Sequence, residues 1–341
     1  MHAMSSPGAQ ILEMAHGAAW THILGALARL EIADHLADGP RTVASLAAAT
    51  GTDPDLLDRL LRAATALGLL ERSPEGSVTT TAVGSCLRTG PGSLRDLVLM
   101  LSAPGQLRPL EQLTEAILGQ SAAEAALGRP IWEYYREHPD EGAAFTGAMS
   151  GVSAMIAGQV ASAADVSGSR RIVDVGGGHG TLLRALLTTA PQARGVVLDL
   201  PEVAATAPPD ERIEFVAGDF LASVPPGGDV YVLSHVLHDW DDDAAVRILG
   251  TCRRAAPRTA RLLIVEGVLG DEPGPLMPEL LNLRMLVMSG GCERSRSQYR
   301  RLLDSAGWQL TGITPLPGGQ SILSARPGPQ GGESGDPDPE P

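Results

Sequence analysis

Residues Ser234 to Asp243, SHVLHDWDDD, set two imidazoles three positions apart and follow them with four carboxylates. A neutral imidazole is a general base at physiological pH, and a carboxylate on its other nitrogen fixes the tautomer and steadies the imidazolium that forms. The run follows the strand-forming residues DVYVL, so His238 is expected just past the end of a strand. The competing reading is a helix start with an acidic first turn. For Asp241 to Asp243 that reading is preferred: acids suit a helix N-terminus, and consecutive side chains do not converge on one ion. No metal requirement is expected. Asp239 is either a cap or an aid in positioning the base, and His235 is a packing residue.

A second group of acids and glycines lies upstream. VDVGGGHG carries Asp174 ahead of Gly176, Gly177, Gly178 and Gly180, VVLDLP carries Asp199 and Leu200, and GDF carries Asp219 and Phe220. Glycines allow a sharp strand-to-helix turn and close approach of a ligand. Such a turn also serves dinucleotides, but a carboxylate at Asp174 would repel a pyrophosphate lying on the following helix N-terminus. A carboxylate there suits an ammonium group. Asp199 suits a pair of ribose hydroxyls, and Asp219 with Phe220 suits an adenine amino group and ring face. Adenosine and an amino acid without phosphate describe S-adenosylmethionine. Gly176, Gly178 and Leu200 belong to the same expected cofactor site, and Ser234 is a further donor to it. His235 would at most touch the cofactor's edge.

The elements that must position these groups follow from periodicity. From Arg170 onward, Val/Ile/Leu strands alternate with helices, which means a mostly parallel, doubly wound sheet of Rossmann-like α/β type covered on both faces. Its ligands belong beyond the carboxyl ends of the strands. The final two segments, WQLTGITPL and SILSARP, complete the sheet, the last strand antiparallel. Upstream the chain reads as helical. Ile11, Met14, Ile23, Leu24, Leu27 and Leu30 fall at helical spacing. Thr42 and Asp53 are N-caps, Gly51 is a stop, and a hairpin turns at Pro74 to Gly76. Helix, turn, helix, hairpin is a winged-helix order. The expected division is 1–165 for this helical, winged-helix-like dimerisation domain, 166–327 for the sheet domain, and 328–341 for a Pro/Gly-rich acidic tail expected to be disordered.

Composition narrows the function classes. The chain has 341 residues and a formal net charge of −14, and all of its positive charge is arginine. Clustered positive charge is what nucleic acid or an anionic membrane requires. The second helix of the winged-helix segment opens with Asp53, Asp55 and Asp58 where a groove reader would meet phosphates, so neither nucleic acid nor membrane is an expected partner. The module is expected to serve a homodimer interface. Cys86, Cys252 and Cys292 fit neither a disulfide framework nor a zinc site, which makes a reducing, cytoplasmic setting the default.

Taken together, DVGGGHG, VLDLP, GDF, HVLHDWDD, IVEGVL and GGCERS behind a winged-helix segment resemble the S-adenosylmethionine-dependent O-methyltransferases. The similarity is to the plant caffeate/flavonoid-type enzymes and to bacterial relatives that tailor polyketides and antibiotics. It covers nearly the whole chain except the tail. The resemblance implies His238 as base, Glu266 and Glu293 as its supporting acids, and an aromatic or polyketide acceptor. It also implies an acceptor pocket built from the helix PELLNLRMLVMSGG, with Met285 and Met288, and from the segment around 132–155, with Phe145 and Met149. Met285 and Met288 read equally as core, most aromatic residues of the 132–155 segment read as core with Phe145 and Met149 the pocket candidates, and Asp239 is a further pocket candidate. Ser234 stands where some relatives carry lysine, though a serine can still donate to the cofactor, and Cys292 stands where plant members more usually have lysine, so substrate identity does not transfer. Two other readings stay open at this level: a relative that binds the cofactor but catalyses a non-methylating step, and a winged-helix regulator.

Overall fold

The computed structural model describes residues 6–329, so the expected tail lies, from residue 330 onward, outside the described residues. The chain forms two compact units. One comprises residues 6–111 with Arg129–Met155, and the other comprises Gln112–Gly128 with 156–329. Gln112–Gly128 thus joins the second unit, a division other than a single cut after residue 165.

In the first unit, strands β1 (Arg41–Thr42), β2 (Leu70–Arg72) and β3 (Ser77–Thr80) form an antiparallel sheet ordered β1-β3-β2. The unit is therefore winged-helix-like, and it carries this small sheet beside its helices. The local signals behave as their chemistry requires. Thr42 caps the helix Val43–Thr50 through its hydroxyl, and Gly51 ends that helix at φ +67°, a conformation that costs glycine little. Asp53 caps Pro54–Ala66 by accepting the N–H groups of Asp55 and Leu56. Asp58 pairs with Arg72 of the hairpin. Leu27, Ile32, Leu46, Leu57, Leu61 and Val78 pack into one core. The apolar face expected over the first helices is only half used. Leu27 is buried, while Ile11 and Met14 are exposed on Pro7–Ala15, a helix that buries none of its residues.

The second unit is the doubly wound sheet. Its strands are β4 (Arg171–Val175), β5 (Arg194–Asp199), β6 (Ile213–Ala217), β7 (Val230–Ser234), β8 (Arg261–Leu269), β9 (Arg294–Ser295), β10 (Trp308–Pro315) and β11 (Gln320–Pro327). The spatial order is β10-β11-β8-β7-β4-β5-β6, with the short β9 on β8. β6 through β8 run parallel, and β11 and β10 are antiparallel. Alternation along the strands feeds two cores. Val173 and Val175 pack with Ile248, Leu249 and Tyr299 on one face, and Ile172 packs with Leu183, Leu186 and Val160 on the other. The register sets the ends of the parallel strands side by side, Val175 beside Leu198, Asp199 beside Ala217, and Ser234 beside Val265. The chemically loaded residues follow those ends. Among the described residues no helix is long and apolar enough to cross a membrane.

Leu61 is fully buried at the centre of the first unit's core. Leu61→Ala is expected to destabilise the protein by about 2–5 kcal/mol, the usual cost of a cavity left by a core leucine. A thermal or urea unfolding midpoint unchanged from the parent would contradict this packing.

Candidate active site

Asp174 occupies the penultimate position of β4 and is almost completely buried. Both of its carboxylate oxygens lack a hydrogen-bond partner. Burial, with a smaller contribution from Asp199, raises its pKa to about 7. A buried carboxylate without partners is unfavourable unless a cationic or donor group is meant to meet it. The glycine turn lies against this group: a Cβ at Gly177 would sit 2.5 Å from the Asp174 carboxylate. Gly176 and Gly178 adopt φ +73° and +57°, which favour glycine, and a Cβ on Gly176 would also crowd Val236. Asp199, at the end of β5, is tied to the same turn. Its two oxygens accept the N–H groups of Gly178 and Leu200, both at 2.7 Å. Burial raises its pKa, and those two hydrogen bonds work in the opposite direction. Each oxygen keeps a lone pair for a further donor.

Asp219 is exposed and accepts the N–H of Leu221, so its carboxylate also orders the turn after β6. Phe220 is half-buried, edge-on to Trp240 at 5.9 Å, and borders Gly176. Ser234 ends β7, with its hydroxyl 3.2 Å from His235 Nδ1. His235 stands at φ +54°, uncommon for a residue with a side chain. Burial, reinforced by His238, lowers its pKa to about 4, so its ring is neutral. The eight residues read as cofactor contacts, Asp174, Gly176, Gly178, Asp199, Leu200, Asp219, Phe220 and Ser234, thus fall along one edge of the sheet.

His238 lies in the 3-10 turn Leu237–Asp239 directly after that edge and is buried. Its Nδ1 is 2.7 Å from Glu293 Oε1. Its Nε2 is 3.9 Å from Asp239 Oδ1, beyond hydrogen-bond range. Burial opposes the charged ring, but Asp239, the hydrogen bond to Glu293 and the charge of Glu266 outweigh it and raise the pKa to about 10. Asp239 is pushed up to about 6 by burial, which the imidazole offsets only in part. Glu266 differs from the picture of two glutamates on one ring. Its Oε1 accepts the backbone N–H groups of Val236 and Leu237, and its Oε2 takes the Tyr299 hydroxyl, so it grips the turn instead of the imidazole. Asp241 caps the following helix by accepting the Ala244 N–H, as its place at a helix start requires. Among the described residues no group of three or more His, Cys, Asp or Glu is arranged to hold a metal ion.

Residues 110–309 match an O-methyltransferase domain, and residues 12–90 match an O-methyltransferase dimerisation domain. Over 93% of its length the chain is 37% identical to "Phenazine O-methyltransferase PhzM" of Lysobacter antibioticus, covering 95% of that protein. The chain belongs to the S-adenosylmethionine-dependent O-methyltransferase family. Among solved structures it superposes on "Crystal Structure Analysis of LaPhzM" with a TM-score of 0.91 at 36% identity, covering 95% of this chain and all of that one. It also superposes on human N-acetylserotonin methyltransferase in complex with SAM, with a TM-score of 0.89 at 28% identity, covering 96% of this chain and all of that one. Membership places this O-methyltransferase among enzymes and sets the regulator reading aside. The orphaned Asp174 oxygens and the close glycine turn fit a phosphate-free ligand with a cationic amino acid end.

Sequence reading passed over several residues that shape the methyltransferase site. Arg294 is a fully buried guanidinium, paired with Asp242 at 2.9 Å and donating to the carbonyls of Leu237 and Trp240. Tyr299 holds Glu266, and Asn282 accepts the Glu293 N–H. The ERS triplet and the spacing of Tyr299 with Leu302 and Leu303 on an amphipathic helix are the signals the sequence offers for them. Met285 and Met288 are both buried on the helix Leu276–Ser289, which runs against the His238 turn. Phe145 and Met149 belong to the first unit, where Phe145 packs edge-on to Trp132 at 5.4 Å and tilted against Tyr135 at 5.1 Å.

Gly291 backs directly onto the turn that carries His238: a Cβ there would lie 2.0 Å from the His238 carbonyl oxygen. Gly291→Ala is therefore expected to lower thermal stability, by about 1–3 kcal/mol as for other overpacked sites, and to weaken the His238–Glu293 contact. Titration of the His238 ring by NMR should show its pKa falling. A variant with the parent's melting point and ring titration would refute the close packing.

Proposed function

We propose that this O-methyltransferase methylates a hydroxyl of an aromatic or polyketide-type natural product, with His238 as the general base. The observation that carries this reading is the asymmetry of the His238 ring, with Nδ1 held by Glu293 and Nε2 left without a hydrogen bond. Glu293 fixes the tautomer that places the lone pair on Nε2 and stabilises the imidazolium once a proton arrives. S-adenosylmethionine supplies an electrophilic methyl group on a sulfonium, and the chain's task is to hold and deprotonate the acceptor. A phenol has a pKa of about 10, and the raised pKa of His238 makes proton transfer between them nearly balanced. An imidazolium meeting a phenolate forms the same ion pair as an imidazole meeting a phenol, so either resting form of the pair leads to the reactive oxyanion.

Asp174 and Asp199 would hold the cofactor's ammonium and ribose, with the Gly176–Gly178 turn allowing their approach. Phe220 would face the adenine, with Asp219, Leu200 and Ser234 at its margin. Met285 and Met288 would serve an acceptor pocket as polarisable thioethers suited to a planar ring. A homodimer formed through that unit is supported by its match to the dimerisation domain and by the exposed Ile11, Met14 and Trp20. A cytoplasmic setting belongs to the same reading, supported by three free cysteines.

His238→Ala is expected to lower methyl transfer to a phenolic acceptor by ~100-fold or more, the usual loss with a general base, while calorimetric affinity for S-adenosylmethionine stays near the parent value. Turnover equal to the parent's removes the assignment. Asp174 is neutral below its pKa of about 7. Holding an ammonium requires the charged form, so cofactor affinity should rise as pH climbs through that value and level off above it. Asp174→Asn should flatten the dependence, and calorimetry at pH 6 and 8 on both proteins reads it. Identical slopes would show that another group is responsible. Asp199→Ala should weaken the cofactor's binding at every pH by the same measurement.

A further inference from the structure

The turn that carries His238 is held by two fully buried charges of opposite sign, and both act on its backbone. Glu266 Oε1 accepts the N–H groups of Val236 at 3.1 Å and Leu237 at 2.6 Å, with that of His238 at 3.4 Å. On the acceptor side, Arg294 donates to the carbonyls of Leu237 at 2.8 Å and Trp240 at 2.7 Å. The donors of one short segment thus go to a carboxylate, and its acceptors go to a guanidinium. Each bond is charge-assisted, and the planar guanidinium can reach two carbonyls only in one orientation. That orientation is set by Asp242 on Nε. The carboxylate is set in turn by the Tyr299 hydroxyl.

The two halves share a mount. Glu266 is a residue of β8, and β9, which begins with Arg294, pairs with β8 at Val268. Arg294 is also the chain neighbour of Glu293, the carboxylate on the imidazole. One peptide unit therefore links the ring's partner to the guanidinium that grips the ring's own turn. We propose that Glu266 and Arg294 act as one positioning device, a backbone clamp that sets the His238–Glu293 separation and through it the basicity of the imidazole. The proposal rests on His238 being the base. It assigns Glu266 to positioning through the main chain and adds Arg294 and Tyr299 to the same task.

The test uses the full-length enzyme and the variants Arg294→Lys, Tyr299→Phe and their combination, with His238→Ala alongside. Lysine keeps the charge but loses the fork, and phenylalanine keeps the ring but releases Glu266. Arg294→Lys is expected to lower kcat by about 10- to 100-fold, as sub-ångström to ångström misplacement of a reacting group does, with calorimetric affinity for S-adenosylmethionine unchanged. The acid limb of the kcat/KM profile should move to lower pH, because a loosened carboxylate raises the imidazole's pKa less. Tyr299→Phe should move both quantities in the same direction by less. The combined loss should differ from the product of the single losses, as for two parts of one device. If Arg294→Lys does not fold, Tyr299→Phe and Asp242→Asn decide by the same profile. A lowered melting point with the parent's kcat per folded molecule and the parent's acid limb overturns the clamp alone, provided His238→Ala is inactive. Parent-like turnover in His238→Ala overturns the base reading, and the clamp falls with it.

Discussion

His238, Glu266, Glu293 and Arg294 lie buried together at the edge of the sheet, and none of them is tolerable there by itself. An isolated charge removed from water costs several kcal/mol, and only close partners with good geometry offset that cost. The imidazole takes Glu293, the guanidinium takes Asp242 and two carbonyls, and Glu266 takes amide hydrogens and a phenol. Because each group needs its partner, the cluster has little freedom to rearrange. The same requirement that keeps the region folded also fixes where the imidazole stands. One glutamate oxygen, Glu293 Oε2, remains buried without a partner, which adds to the local negative potential that favours a protonated ring.

The sheet supplies the platform for this cluster and for the neighbouring acids Asp174 and Asp199. Parallel strands end in register, so Asp174, Asp199 and Glu266, far apart in sequence, are carried to one rim by the same hydrogen-bond ladder, and His238 lies in the turn that follows β7. Rigid strands place such groups more accurately than a free loop would. The buried Asp174 and the buried His238 also lean opposite ways. Burial pushes the acid toward neutrality, while surrounding carboxylates push the imidazole toward charge. Both values are raised, the acid's by burial and the imidazole's by its carboxylates, and strongly shifted titrating groups are a common mark of a working site.

Much of this architecture was readable in the chain because its signals are local. Val/Ile/Leu runs spaced by helices specify parallel strands, and Thr42, Asp53 and Asp241 cap the helices that follow them. The antiparallel last strand and the hairpin after Arg72 followed from the same kind of pattern. The site was half legible. The resemblance, and no local pattern, implies that His238 and Glu293 meet, and they do meet. What Glu266 grips depends on the three-dimensional path of a backbone 30 residues away, and no side-chain pattern encodes it. Arg294 and Tyr299 escaped for a related reason: their partners are carbonyls and a buried carboxylate, and main-chain atoms leave no trace in composition. Ile11 and Met14 show the reverse limit, since periodicity marks an apolar face without saying which surface will cover it.

The segment between Gly290, which ends one helix in the left-handed conformation, and Ser295, which opens the next through a capping box, is only four residues long. Within it Gly291 touches the main chain at His238, Glu293 meets the ring, and Arg294 reaches two carbonyls. Inserting or deleting even one amino acid would throw all three out of phase at once. A change of length in this connection is therefore expected to cost more than a side-chain exchange elsewhere on the molecule.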